Sequence, residues 1–144
     1  MVETLKTEKL EQLRQLLDQF GLPSSDVETA EWFKLLGIND AGRLVSAAGL
    51  EHCDGSLLLR SVVTDPAFQG KGMAAEIVST LNLAAKKTGY EEIWMLTIDA
   101  DRYFSHHHDF HVVTRSDAPE GIRCSAQFRG LCPADAILMR RRLN

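Results

Sequence analysis

The stretch "LLLRSVVTDPAFQGKGMAAEIVSTLNLAAKK", Leu57 to Lys87, decides how this chain is read. A nearly continuous apolar run meets Asp65-Pro66, then a turn with glycines at 70 and 72, then a helical pattern. Ser56 to Thr64 reads as a strand buried on both faces. Gly72 to Thr88 reads as a helix, because Met73, Ile77, Leu81 and Ala84 fall on one stripe that Ala74, Val78 and Ala85 widen. Gly89 ends it. The turn between them, Gln69 to Ala74, holds the first N–H groups of that helix, which have no intrahelical partner. With the helix dipole they make a positive spot, an anion site whose natural occupant is a pyrophosphate. Gly70 and Gly72 let backbone come close without a side chain in the way, and Lys71 adds charge at the rim. GxxxxGK[ST] is absent, and Ala75 stands where GxGxxG needs its third glycine, so neither nucleotide loop is present. By itself the turn is equally a tight strand-to-helix connection with no ligand.

Working outward, Leu10, Leu13, Leu16, Leu17 and Phe20 predict a helix from Thr7, as N-cap, to Gly21. Ser25 and Glu28 have capping-box spacing and predict a short second helix. No strand is evident before Thr7. Trp32–Ile38 and Arg43–His52 predict a hairpin around Asn39-Asp40-Ala41-Gly42. With Ser56 to Thr64 they make a three-stranded meander. Downstream, Glu91 to Thr97 reads as a strand, Ala100 to about His107 as a short helix and His111 to Val113 as a short strand. A helix is expected from Asp117-Ala118-Pro119 to about Gln127, and a last strand over Ala136 to Arg141. The class is α/β (α+β): one domain, 1–144, with a mixed, mostly antiparallel sheet and helices on both faces.

Composition narrows the function. The chain has 144 residues, 44% hydrophobic and 25% charged, with a formal net charge of -4. That gives a nucleic-acid role no global electrostatic support; Arg140, Arg141 and Arg142 read as a solvated chain end. No apolar run approaches the roughly 18 residues that span a bilayer, so no membrane partner is expected. The N-terminus lacks the apolar region of a secretory leader. Cys53, Cys124 and Cys132, an odd set without CxxC, are expected to be reduced thiols in the cytoplasm, and not a zinc site.

The pattern [R/Q]-x-x-G-x-[G/A], met here as Gln69, Gly72 and Ala74, follows a strand ending in "VVT", Val62 to Thr64, with Pro66 before it. With the long helix behind it, it resembles the GNAT superfamily of acetyl-CoA-dependent N-acetyltransferases, and the element order matches over nearly the whole chain. The resemblance implies the GNAT fold with a splayed acetyl-CoA cleft. The amides of Gly70, Lys71, Gly72, Met73 and Ala74 would hold the pyrophosphate of acetyl-CoA, with Gln69 in the same motif. Val62 and Thr64 would pair with the pantetheine arm, and Thr97 to Ala100 would line the opposite wall. An N–H of Val62 or Val63 would polarise the thioester carbonyl.

For the leaving thiolate the family uses a Tyr ahead of a Gly-Phe pair. Here "ADRYFSHHHDF" has Asp109-Phe110 at that pair and Ser105 at the Tyr position. Tyr103 is the candidate acid; its plain alternative is a half-buried aromatic beside Phe104. Three adjacent His, 106 to 108, point about 100° apart on a helix and cannot all ligate one ion, so no metal is expected. Glu51 and His52 are candidates for taking the amine proton, against a reading as salt-bridged surface.

The tail "RSDAPEGIRCSAQFRGLCPADAILM" resembles the amino-acid N-acetyltransferases related to N-acetylglutamate synthase. It is more similar still to the group of arsenic-resistance N-acetyltransferases. That implies a small, amino-acid-like amine acceptor, an arsenical or other toxic analogue among them. Its carboxylate would need Arg, and Arg60, Arg123 and, four residues on, Gln127 are the candidates; Arg129 is another. Cys124 and Cys132 could meet a soft arsenic centre or be small buried hydrophobes. The other reading of the chain is a catalytically weak or inactive acyl-CoA sensor on the same fold. Homodimerisation through the C-terminal strands is left open.

Overall fold

The computed structural model of the chain describes residues 1–143. Val2–Thr4 form a strand, β1, where the sequence shows none. Three residues are too few to display an alternating pattern; Val2 is placed by pairing opposite Ile38, and Thr4 opposite Leu36. Helix α1, Leu10–Gln19, buries Leu13, Leu16 and Leu17 as its spacing predicts. It begins two residues later than expected, with Lys9 rather than Thr7 at the N-cap, because Thr7–Lys9 form a separate 3-10 turn.

The helix expected after Ser25 does not form; residues 25–29 are a chain of turns. Glu28 reaches Arg14 at 2.8 Å instead of closing a capping box, and Ala30 N–H bonds the Asp26 carbonyl. Strands β2 (Trp32–Asp40), β3 (Arg43–Cys53) and β4 (Ser56–Thr64) then make the meander. Helix α2, Met73–Lys87, starts at Gly72 and stops at Thr88. After it come β5 (Glu92–Thr97), α3 (Asp101–His108), the two-residue β6 (His111–Val112) and β7 (Ile137–Arg142).

The helix expected to reach Gln127 is a single turn, α4, Glu120–Arg123. The Ser125 hydroxyl donates to the Ile122 carbonyl at 2.6 Å and accepts from Phe128 N–H at 3.3 Å. A side chain that takes up backbone bonds in this way competes with the helical ladder.

The seven strands lie in the order β1-β2-β3-β4-β5-β7-β6. Every pairing is antiparallel except β4 with β5. On one face α2 and α3 cover the sheet: Ile77, Leu81 and Phe104 pack on Leu57, Leu59, Ile93 and Met139. Each fully buried Leu or Ile here contributes roughly 1.5–3 kcal/mol. On the other face α1 packs Leu13 and Leu17 against Ala47 and Val63. There α4 seats Ile122 among Cys53, Leu58, Trp94 and Leu138. Gly121 makes that docking possible, since a Cβ on it would lie 1.9 Å from the Cys53 carbonyl oxygen. No helix of the described residues is long and apolar enough to cross a membrane.

Candidate active site

The central feature is a parting of strands. β4 and β5 pair from Leu57 opposite Ile93 to Leu59 opposite Met95, and there the pairing stops. β5 follows β7 to Thr97 opposite Ile137, while β4 follows β3 to Thr64 opposite Ser46. Arg60 to Thr64 therefore present an unpaired edge to a wedge whose other wall is Leu96 and Thr97. The register of β4 against β3 also slips here: Gly49 faces Arg60 and Ala47 faces Val63, so Ser61 and Val62 together oppose Ala48. Ser61 adopts the left-handed backbone, φ 61°. Two residues against one with the first left-handed is a bulge that normally takes glycine. Thr97 Oγ1 accepts the Ala100 N–H at 3.0 Å and holds the turn at the mouth of the wedge.

The wedge leads to the glycine turn. Gln69 donates to the Thr64 carbonyl at 3.2 Å, tying the turn to the end of β4. Gly70 and Gly72 both have φ 79°. The first bond of α2 runs from Glu76 N–H to the Gly72 carbonyl at 3.0 Å. The amides of Met73, Ala74 and Ala75 thus have no intrahelical partner. Gly70, Lys71 and Gly72 N–H have no backbone partner among the described residues. A Cβ on Gly70 or Gly72 would meet nothing within 4 Å, so open space lies over these amides. The Lys71 ammonium sits 5.1 Å from the centre of the Phe68 ring. These residues fit a diphosphate anion.

On the α1/α4 side of β4 lies a charged group that includes a residue the sequence reading did not single out. Arg60, its side chain only 2% exposed, makes two bonds to Asp26, at 2.7 and 2.5 Å, and one to Glu51 at 3.2 Å. Its guanidinium lies 5.1 Å from the centre of the Trp32 ring, and its Nε makes no hydrogen bond. Trp32 is held by its indole N–H donating to the Val27 carbonyl at 3.0 Å. Gly49 leaves room for it, since a Cβ there would lie 2.5 Å from the ring. The two carboxylates titrate in opposite directions. The bond from Arg60 holds Asp26 below its ordinary value. Burial pushes Glu51 above its own, against the pull of Arg60. Burial works against the charge on Arg60 too, but Asp26 and Glu51 outweigh it and raise its pKa.

The remaining candidates are spread out. The Tyr103 hydroxyl lies 3.1 Å from His108 Nε2; burial raises the Tyr103 pKa and lowers that of His108, where Arg141 and His107 add to the lowering. Ser105 projects from the other side of α3, two residues or about 200° away. His52 faces the α2 side and meets the Tyr90 hydroxyl at 3.1 Å. Arg123 is exposed while Gln127 is 6% exposed and takes the Cys132 thiol at 3.0 Å. The two do not share a face, because α4 ends at Arg123. Cys124 is exposed, and burial raises the Cys132 thiol. No group of three His, Cys, Asp or Glu among the described residues is placed to hold a metal ion.

A family model described as the acetyltransferase (GNAT) family matches residues 7–108. This chain belongs to that family. It is an acetyl-CoA-dependent N-acetyltransferase by that membership, and the match runs from the 3-10 turn before α1, across β4 and the glycine turn, to the end of α3. The same fold recurs in a GNAT acetyltransferase from Staphylococcus aureus Mu50, with TM-score 0.80 and 16% identity over 100% of this chain and 99% of that one. Rv2747 from Mycobacterium tuberculosis, crystallised with CoA, gives TM-score 0.78 and 20% identity, covering 100% and 99%. N-acetylglutamate synthase from Neisseria gonorrhoeae, complexed with coenzyme A and N-acetyl-glutamate, gives TM-score 0.82 and 15% identity. This GNAT chain covers only 35% of that synthase, although all of itself. At such identities the likeness is one of fold. No curated protein sequence matches the chain.

Asp26 and Ser61 are the site residues that sequence reasoning missed. Asp26 sits in a loop 34 residues from its partner, and no local pattern marks it. Ser61 is hidden in a strand buried on both faces.

Proposed function

We propose that this GNAT acetyltransferase moves the acetyl group of acetyl-CoA directly to the primary amine of a small, amino-acid-like molecule. The observation that carries the reading is the parting of β4 from β5 beyond Leu59, which opens toward the free amides of the glycine turn. In this reading Gly70, Lys71, Gly72, Met73 and Ala74 hold the diphosphate, with Gln69 fixing the turn. The edge of Val62, Val63 and Thr64 takes the pantetheine arm as an added strand. Thr97 and Ala100 line the facing wall. The bound thioester supplies an activated acyl group. As the C–N bond forms and the C–S bond breaks, one proton leaves the amine and one reaches the thiolate.

Glu51 is the base in this scheme, because burial brings its pKa toward the working range. Arg60, already shared between Asp26 and Glu51, orients that carboxylate, and exposed Arg123 or Arg129 is the cation for the carboxylate of the acceptor. Gln127, buried and bonded to Cys132, is given no part in holding the acceptor. For the thiolate we retain Tyr103, whose hydroxyl bond to His108 gives it a route for proton replacement. The same bond favours the competing reading, an acyl-CoA sensor whose Tyr is engaged elsewhere.

Calorimetry tests the donor half. Acetyl-CoA and coenzyme A should each bind one to one; absence of binding up to millimolar ligand would overturn the reading.

A further inference from the structure

Arg115 is partly buried, yet it forms no ion pair among the described residues. Asp117, two residues on, commits its carboxylate to the Thr114 N–H and hydroxyl, at 3.1 and 3.0 Å. Arg115 is nonetheless held in place. Its guanidinium lies 4.9 Å from the centre of the Phe128 ring, and one N–H donates to the Ala136 carbonyl at 3.0 Å. The rest of the fork is uncommitted among the described residues. A guanidinium fixed by stacking and by one carbonyl, with its other donors open, is preset for a planar anion.

Its place is the acceptor side of the wedge. Ala136 precedes Ile137, the residue of β7 opposite Thr97, so the bond to Ala136 sets Arg115 beside the far wall. Phe128 packs on the cluster of Cys53, Leu58 and Trp94, on the sheet face that carries Arg60 and Glu51. Cys132 links the two ends of this face. Burial raises its thiol pKa while Arg60 and Arg115 both pull it back, so the fields of both guanidiniums reach it. Arg123 and Arg129, by contrast, are exposed.

We propose that Arg115 is the specificity-determining cation of the acceptor site: its preset fork holds the acceptor carboxylate, and exposed Arg123 or Arg129 joins it from the rim. The inference rests on the reading above of an amino-acid-like acceptor. With the amine at Glu51 and the carboxylate at Arg115, the acceptor spans one groove. Arg115 stays charged throughout, and no bond to it forms or breaks. It selects an amine that carries a carboxylate over the same amine without one.

The test is thiol release from acetyl-CoA with a panel of L-amino acids, each beside its own carboxamide, which keeps the side chain and amine and lacks the carboxylate. The quantity read is the acid-to-amide ratio of kcat/KM. Arg115→Gln should raise KM for the acid about 10- to 100-fold and leave the amide unchanged, so the ratio collapses. Arg115→Lys keeps the charge without the fork and should recover part of the loss. Acetyl-CoA affinity by calorimetry should be the same in all three proteins. If Arg115→Gln slows acid and amide alike, or weakens acetyl-CoA binding, Arg115 only staples the loop of Phe128 and Ala136; the inference falls while the acceptor reading stands. If Arg115→Gln does not fold, Arg115→Lys decides, and a ratio equal to that of the wild type overturns the inference. If the wild type acetylates no amino acid in the panel, the acceptor reading falls and takes this inference with it.

Discussion

The guanidinium of Arg60 grips the carboxylate of Asp26 through two hydrogen bonds, 2.7 and 2.5 Å long, across 34 residues of chain. This fork pins the loop after α1 to the centre of the sheet. Removing the carboxylate strands a buried cation, and breaking such a pair costs about 3–5 kcal/mol. Glu51 remains as a partner, so Asp26→Asn should lose about 3 kcal/mol in urea unfolding. The double variant Asp26→Asn/Arg60→Met should recover part of that loss, since the stranded charge is gone. A double variant no more stable than Asp26→Asn would show that the charge is not what the loop depends on.

Trp32 and Gly49 set the floor of that group. With a Cβ at 49 only 2.5 Å from the Trp32 ring, Gly49→Ala must displace the indole. Overpacking of this kind costs about 1–3 kcal/mol. The expected result is a lower melting temperature with a red-shifted Trp emission, as Trp32 loses its bond to the Val27 carbonyl.

Glu51 should leave its mark on the pH profile. Its pKa lies above the ordinary 4.5 because of burial, so as pH falls through that raised value the base is protonated and kcat/KM drops. Glu51→Gln should lower kcat about 10²-fold or more and abolish this acid limb. The stability effect has its own sign. A raised carboxylate contributes stability that is fully present below 4.5 and lost as pH rises through its folded value. Glu51→Gln should therefore gain relative stability at neutral pH. An unchanged acid limb in Glu51→Gln would assign the base elsewhere.

Much of this site is legible in the sequence, and the reason is local. A helix stripe, a turn with paired glycines and a strand before it are all patterns within about thirty residues, and the family motif lies inside them. The two missed residues fail for opposite reasons. Asp26 acts through a partner distant in sequence, and Glu28, two residues on, suggests a cap that the fold spends on Arg14 instead. Ser61 sits in "LLLRSVV", where both faces are buried; a run without alternation carries no parity, so an extra residue leaves no trace. Arg60 was legible as a candidate but not as a committed ion pair, because its partners come from β3 and from a loop. Strand β1 is fixed by the edge of β2 that receives it rather than by its own three residues.

Gly72 separates backbone cost from ligand contact. Gly72→Ala places a side chain at φ 79°, for about 1–2 kcal/mol, and puts a Cβ into the open space over the amides. Gly55→Ala, at φ 87° in the β3–β4 turn and equally uncrowded, carries the same backbone cost far from the wedge. Calorimetry should find acetyl-CoA affinity reduced at least tenfold in Gly72→Ala and unchanged in Gly55→Ala. Equal losses in both would mean that the glycine turn does not touch the ligand.

The most direct test of the account is thiol release from acetyl-CoA across a panel of amino acids, arsenical analogues and simple amines, with the mass of each product measured. The account predicts release that depends on a small amino-acid-like primary amine, a product heavier by one acetyl group, and loss of both in Glu51→Gln. Tight binding of acetyl-CoA with no amine in the panel acetylated would contradict it and leave the chain a sensor of acyl-CoA.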